Sequence, residues 1–121
     1  MKRDMDLARN ILQQVEAKDP GFSASWECPD NHTEEEFYEH VKLLKDAGFL
    51  EADIQPTNLG TVIAIPKRLT WEGHEFLDAI KNDTVWKKVK EIVKEKGGSI
   101  PFEILKALAV KIAGSLFGIG G

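Results

Sequence analysis

His74, Glu75 and Asp78 lie in GHEFLD, residues 73–78, at the spacing of the zinc-protease signature His-Glu-x-x-His, with an aspartate where the second histidine belongs. In that signature two imidazoles one helical turn apart grip a single ion, and the glutamate serves as general base. Asp78 offers a carboxylate at the same spacing, but a catalytic zinc takes three protein ligands, and neither His32 nor His40 follows in a recognisable pattern. A second pairing, Cys28 with His32, puts a thiol and an imidazole four residues apart in a loop. Two ligands fall short of the four that a structural zinc requires, and no third residue is arranged to orient the pair as an activated nucleophile. No phosphate-binding glycine loop is present either. The sequence therefore assigns no catalytic, metal-binding or cofactor-binding residue, and a non-enzymatic protein is expected.

Cationic residues are the next candidates. Lys67 and Arg68 adjoin an expected β-ribbon, and Lys87, Lys88, Lys90 and Lys94 fall on one expected helix. These six are the nucleic-acid contacts a DNA-binding protein would use. The charge balance is uneven: residues 1–80 hold 8 Lys/Arg against 16 Asp/Glu, whereas residues 81–121 hold 8 Lys against 4 acids. Asp83, Glu91 and Glu95 dilute the basic run, and no aromatic residues interleave with it for stacking on single strands. Such asymmetry marks a partner-binding segment or lets the two parts attract one another.

These groups need elements to position them. A chain of 121 residues, 42% apolar and 30% charged, is one ordinary soluble domain in size and composition. Asp4 can cap a helix to about residue 18, with Leu7, Ile11, Leu12 and Val15 on one face. FSASWE, residues 22–27, alternates like a short strand, and CPDNH reads as a turn. Thr33 and Glu36 have capping-box spacing at the head of a second helix, whose inward stripe is Phe37, Val41 and Leu44 and whose stop is Gly48. FLEADI and TVIAIPKRLT then form a hairpin in which Pro66 must take an edge or a strand end. Thr70 is a good N-cap, so GHEFLD reads better as a helix start in which Trp71 and Phe76 pack. Gly73 there marks close approach of a neighbouring backbone. A further helix follows Asn82-Asp83 with Val85, Val89, Ile92 and Val93 inward, and a last one follows Pro101.

The second helix is a poor DNA reader. Glu34, Glu35, Glu36 and Glu39 crowd its first turns, where a recognition helix meets base edges between two rows of phosphates. The last helix is the more informative one. From Phe102 to Phe117 only Glu103, Lys106, Lys111 and Ser115 are distinctly polar, so it is apolar over more than one core contact needs. It is too short and too charged to span a bilayer. Central burial, self-association and an interfacial membrane helix are the three readings. Burial in an oligomer interface is preferred, with Phe102, Leu105, Leu108, Ile112 and Leu116 as contacts. A homo-oligomer is thus the expected assembly, with a further protein partner also compatible.

Four segments carry a resemblance. MKRDMDLARNIL, EEEFYEHVKLLKDAGFLE, RLTWEGHEFLDAIKNDTVWKKVKE and GGSIPFEILKALAVK resemble DUF2513, a family of small bacterial and phage proteins. The likeness implies a winged-helix-like core and a link with phages or mobile elements, and it brings no catalytic residues. The pattern Glu-x4-His-x2-Leu-Leu-x2-Ala-Gly in the second segment is also similar to recognition helices of bacterial winged-helix repressors. The expected fold is α+β: a winged-helix-like core over residues 1–82 with a helical extension over residues 83–121. Residues 19–32 depart from a standard helix-turn-helix, because their prolines, glycine and alternation argue against a helix there. The single cysteine and the charged start MKRDMDLARN, which has no apolar segment behind it, point to the cytoplasm.

Overall fold

Asp4 starts the first helix, α1 (Met5–Ala17), by accepting on Oδ1 from the N–H groups of Asp6 and Leu7 at 2.9 and 3.1 Å. Two of the four donors that a helix start leaves open are thereby satisfied. The computed structural model describes residues 3–17, 26–97 and 100–117, and excludes the side chains of Phe102, Leu116 and Phe117. Within the described residues the chain is α+β, with five helices and one two-stranded antiparallel sheet. It divides into two compact units, 1–74 and 75–121.

In the first unit, α1 buries Leu7, Ala8, Ile11, Leu12 and Val15. Of the strand expected at residues 22–27, residues 22–25 lie outside the described residues, and Trp26 and Glu27 join no ladder. A side chain takes the strand's place beside Glu27. The Gln14 amide donates from Nε2 to Glu27 O at 2.7 Å and accepts on Oε1 from Glu27 N–H at 3.0 Å.

The second helix, α2 (Glu34–Asp46), opens on the expected capping box. Thr33 Oγ1 accepts from Glu36 N–H at 3.1 Å, and Glu36 Oε1 accepts from Thr33 N–H at 3.1 Å. Phe37, Val41 and Leu44 are buried, and Gly48 turns the chain out of the helix at φ 84°. Any residue with a β-carbon loses about 1–2 kcal/mol in that region. Strands β1 (Leu50–Pro56) and β2 (Val62–Leu69) then pair, and α1 and α2 both pack on the ribbon. The register skips Lys67, since Glu51 faces Arg68 and Ala52 faces Pro66. Pro66 has no N–H to give, and it falls beside this bulge in a ribbon whose strands are both edges.

Helix α3 (Trp71–Ile80) begins at Thr70. Thr70 Oγ1 accepts from Gly73 N–H at 3.0 Å and donates to Gly48 O, while Thr70 N–H donates to Phe49 O at 3.1 Å. Gly73 comes so close to this turn that a β-carbon on it would lie 1.8 Å from Phe49 O and 2.8 Å from Phe49 C. The close backbone approach expected from its sequence position is therefore real. Trp71 corrects the reading. It is 74% exposed and packs away nothing, because it occupies the first position of α3, outside the buried face that carries Phe76.

In the second unit, Phe76, Leu77 and Ile80 of α3 are fully buried. Asn82 caps α4 (Asp83–Glu95), accepting from Thr84 and Val85 N–H at 2.9 and 3.1 Å. Its buried stripe is Val85, Trp86, Val89 and Val93, with Ile92 half-buried. It packs along α5 (Phe102–Phe117), whose Leu105 and Ala109 are buried.

Gly73→Ala is expected to destabilise the fold by about 3 kcal/mol or more, because backbone must move to admit one methyl. Gly48→Ala, which meets no atom within 4 Å, should lose only the conformational term, about 1–2 kcal/mol. Thermal melts of both variants check this. Similar melting of Gly73→Ala and the parent chain would show that the helix start is not clamped there.

Candidate functional site

The chemically suggestive residues fall into three places, and the fold has already occupied two of them. At the GHEFLD segment, His74 is exposed and its N–H bonds to Thr70 O at 3.0 Å, as the first turn of a capped helix requires. Asp78 pairs with Lys81 at 3.2 Å. Among the described residues no group of three or more His, Cys, Asp or Glu is placed to hold a metal ion.

The second place is where α1 and α2 begin. Cys28 donates its thiol proton to backbone, to His32 O at 3.2 Å and Pro29 O at 3.6 Å. Burial pushes this thiol above its ordinary value, and the carboxylates of Glu34, Glu36 and Asp30 push it further. A thiol held protonated is a poor nucleophile. The imidazole of His32 is turned toward two helix caps instead, with Nε2 3.5 Å from Asp4 Oδ2 and Nδ1 3.4 Å from Glu36 Oε2. The Glu36 carboxyl is held below the usual carboxylate range by the Thr33 backbone bond first and by His32 second.

His40 is the residue that sequence reasoning missed. It is 1% exposed on the inner face of α2, where Nε2 accepts from Asp4 N–H at 2.7 Å and Nδ1 meets Glu36 O at 2.7 Å. A ring nitrogen that faces a backbone N–H must be bare, and one that faces a carbonyl must carry the proton. His40 is therefore neutral and protonated on Nδ1, and it ties the start of α1 to α2. Its position was legible, since 37, 40, 41 and 44 form one helical stripe, but a polar residue on that stripe invites an outward assignment.

The third place is the basic and apolar surface. Arg68 is bound by Glu51 through Nε (2.6 Å) and Nη2 (3.0 Å), and Lys67 by Asp53 at 3.0 Å, so the ribbon's cations are already matched across the strands. Lys87, Lys88, Lys90 and Lys94 are exposed along α4, with Lys90 Nζ 6.0 Å from the centre of the Trp86 ring. An open groove of about 540 Å³ runs between α4 and α5, lined by Lys88, Glu91, Ile92, Ile112 and Ser115.

Of the five expected contact residues of α5, one is buried in the chain. Leu105 is 1% exposed within the single chain, which already buries it, and Leu108 and Ile112 are half-buried. Phe102 and Leu116 have side chains outside the described set. The apolar residues that α5 presents outward are others: Ile104 at 57% exposure, Val110 at 48%, and Ala107 between them. Leu59 at the ribbon's turn is also exposed. No helix of the described residues is long and apolar enough to cross a membrane.

These features define, among the described residues, a small α+β protein of five helices and one two-stranded antiparallel ribbon. The chain belongs to the family described as "Hypothetical protein (DUF2513)", whose model matches residues 2–99. It is 38% identical over 115 residues to an "Uncharacterized protein" of Haemophilus influenzae, the match covering 93% of this chain and 95% of that protein. No solved structure matches. The family match ends before α5 begins at Phe102, so the helix with the outward apolar residues lies beyond it.

Two outcomes follow from this geometry. Cys28 should alkylate several-fold more slowly in the native chain than in the urea-unfolded chain, and equal rates would contradict a shielded, protonated thiol. Because the folded value of Glu36 is lowered, its contribution is complete above the ordinary glutamate range and is lost as pH falls through the lowered value. Glu36→Gln, which keeps a capping side chain without the charge, should therefore lose less stability on acidification than the parent. Urea midpoints at neutral and acid pH check this, and identical slopes would contradict it.

Proposed function

We propose that this protein is a non-enzymatic interaction module that self-associates through the outer face of α5. The observation that carries this reading is the exposure of Ile104 and Val110, with Ala107 between them, on a helix whose opposite side carries the buried Leu105 and Ala109. Large apolar side chains grouped on one exposed helical face are the usual mark of a surface meant to be covered. Three of the groups with reactive potential have structural partners: Cys28 with backbone, His32 with two caps, and His40 between α1 and α2. The lone thiol suits a reducing cytoplasm, and the family resemblance suggests a phage or mobile-element setting.

DNA binding is a second reading, favoured by the four exposed lysines of α4. It is the weaker one. The ribbon cations Lys67 and Arg68 are paired with Asp53 and Glu51, and α2 opens on three consecutive glutamates. Phosphate contact there would first have to break ion pairs or meet like charge.

Multi-angle light scattering on the full chain tests the first reading. The parent is expected to exceed its monomer mass as concentration rises, and Ile104→Asp with Val110→Asp to return it to a monomer. A parent that stays monomeric at several hundred micromolar would sink the proposal. A salt titration on duplex DNA separates the second reading, since phosphate-driven binding must weaken steeply with salt.

A further inference from the structure

Five exposed residues of α5 are arranged symmetrically about Ala107. Ile104 and Val110 lie three residues before and after it, and Glu103 and Lys111 four before and after; all five are exposed. At about 100° per residue they occupy an arc of roughly 120° centred on Ala107. The fully buried Leu105 and Ala109 lie on the opposite side of the helix. Ile104 and Val110 thus mark the two edges of the strip, while Glu103 and Lys111 lie nearer its midline and one residue further along the helix, with opposite charges at the two ends.

We infer that two copies of this chain pair through α5 in antiparallel orientation, with the two-fold axis passing at Ala107. The inference rests on the self-association reading above and adds the partner and its geometry. A two-fold axis at that position brings each residue n places before Ala107 level with the residue n places after it on the other copy. Ile104 then comes level with Val110 of the second copy, and Glu103 with Lys111, each relation occurring twice. A parallel pairing in register would set Glu103 against Glu103 and Lys111 against Lys111, so the charges select the antiparallel one. Opposed helix dipoles favour the same choice. At the axis only a methyl from each copy lies between the helices, which places them about 10 Å apart, within the usual range of helix packing distances. One 16-residue helix per copy offers less area than a standard stable interface, so the pair should be weak, on the order of micromolar or weaker.

Charge reversal and cysteine placement test the geometry on the full chain. Glu103→Lys and Lys111→Glu should each weaken dimerisation about tenfold in sedimentation equilibrium, consistent with loss of two charge pairs, and the double variant should recover it. In a Cys28→Ser background, Ala107→Cys should form a disulfide-linked dimer under mild oxidation, whereas Ile104→Cys alone and Val110→Cys alone should not. The latter place their two copies about 9 Å apart along the axis, beyond the Cα separation of about 7 Å that a disulfide can bridge. If the chain dimerises but all three single cysteines cross-link alike, or the double reversal fails to recover association, the antiparallel geometry is wrong while self-association stands. If the parent is monomeric, both fail.

Discussion

A helix whose third residue has no side chain rests on the carbonyl of Phe49, and the first unit is organised around that approach. Four element ends meet at this point: the stop of α2 at Gly48, the start of β1, the end of β2 and the cap of α3 at Thr70. Thr70 serves all of them, bonding by its N–H to Phe49 O and by its hydroxyl to Gly48 O while capping Gly73. Hydrogen bonds alone would leave such a joint some freedom. Steric exclusion does not, because nothing larger than hydrogen fits at Gly73. The resemblance of GHEFLD to a zinc-protease motif has its physical explanation here: the glycine is needed for contact, and His74 and Glu75 follow it on the exposed side of a helix start.

The same economy governs the charged groups. Asp4 caps α1 and faces His32; Glu36 completes the α2 capping box and faces the same imidazole; His40, between them, accepts from the Asp4 backbone. Across the ribbon, Glu51 and Asp53 take up Arg68 and Lys67. The exposed pairs among these stabilise by only a few tenths of a kcal/mol each. Arg68 and Lys67 therefore differ from the exposed lysines of α4 in facing acidic residues across the ribbon.

Much of the fold was legible because it is written in local chemistry. Asp4, Thr33, Thr70 and Asn82 announce helix starts by their side-chain oxygens, Gly48 marks a left-handed turn that other residues adopt at a cost, and Gly73 marks a contact too close for a β-carbon. What escaped the sequence was the identity of buried and exposed faces where composition is ambiguous. His40 lies on the core stripe of α2 because two backbone groups satisfy its ring, something no spacing discloses. Trp71, large and apolar, stays in solvent because it occupies the outer side of the first turn of α3. For α5, apolar on most sides, the surplus of apolar surface was evident from the sequence, but its direction was not: Leu105 faces in, and Ile104 and Val110 face out.

On the function proposed above, the outer face of α5 with Ile104 and Val110 is the surface that matters. A dilution series of amide proton–nitrogen spectra on the full chain tests this most directly. Expected are concentration-dependent shifts confined to α5 around Glu103, Ile104, Ala107, Val110 and Lys111, with the α1–α2 caps and the ribbon unchanged. Spectra that do not change with dilution, or changes centred on the α4 lysines instead, would contradict it.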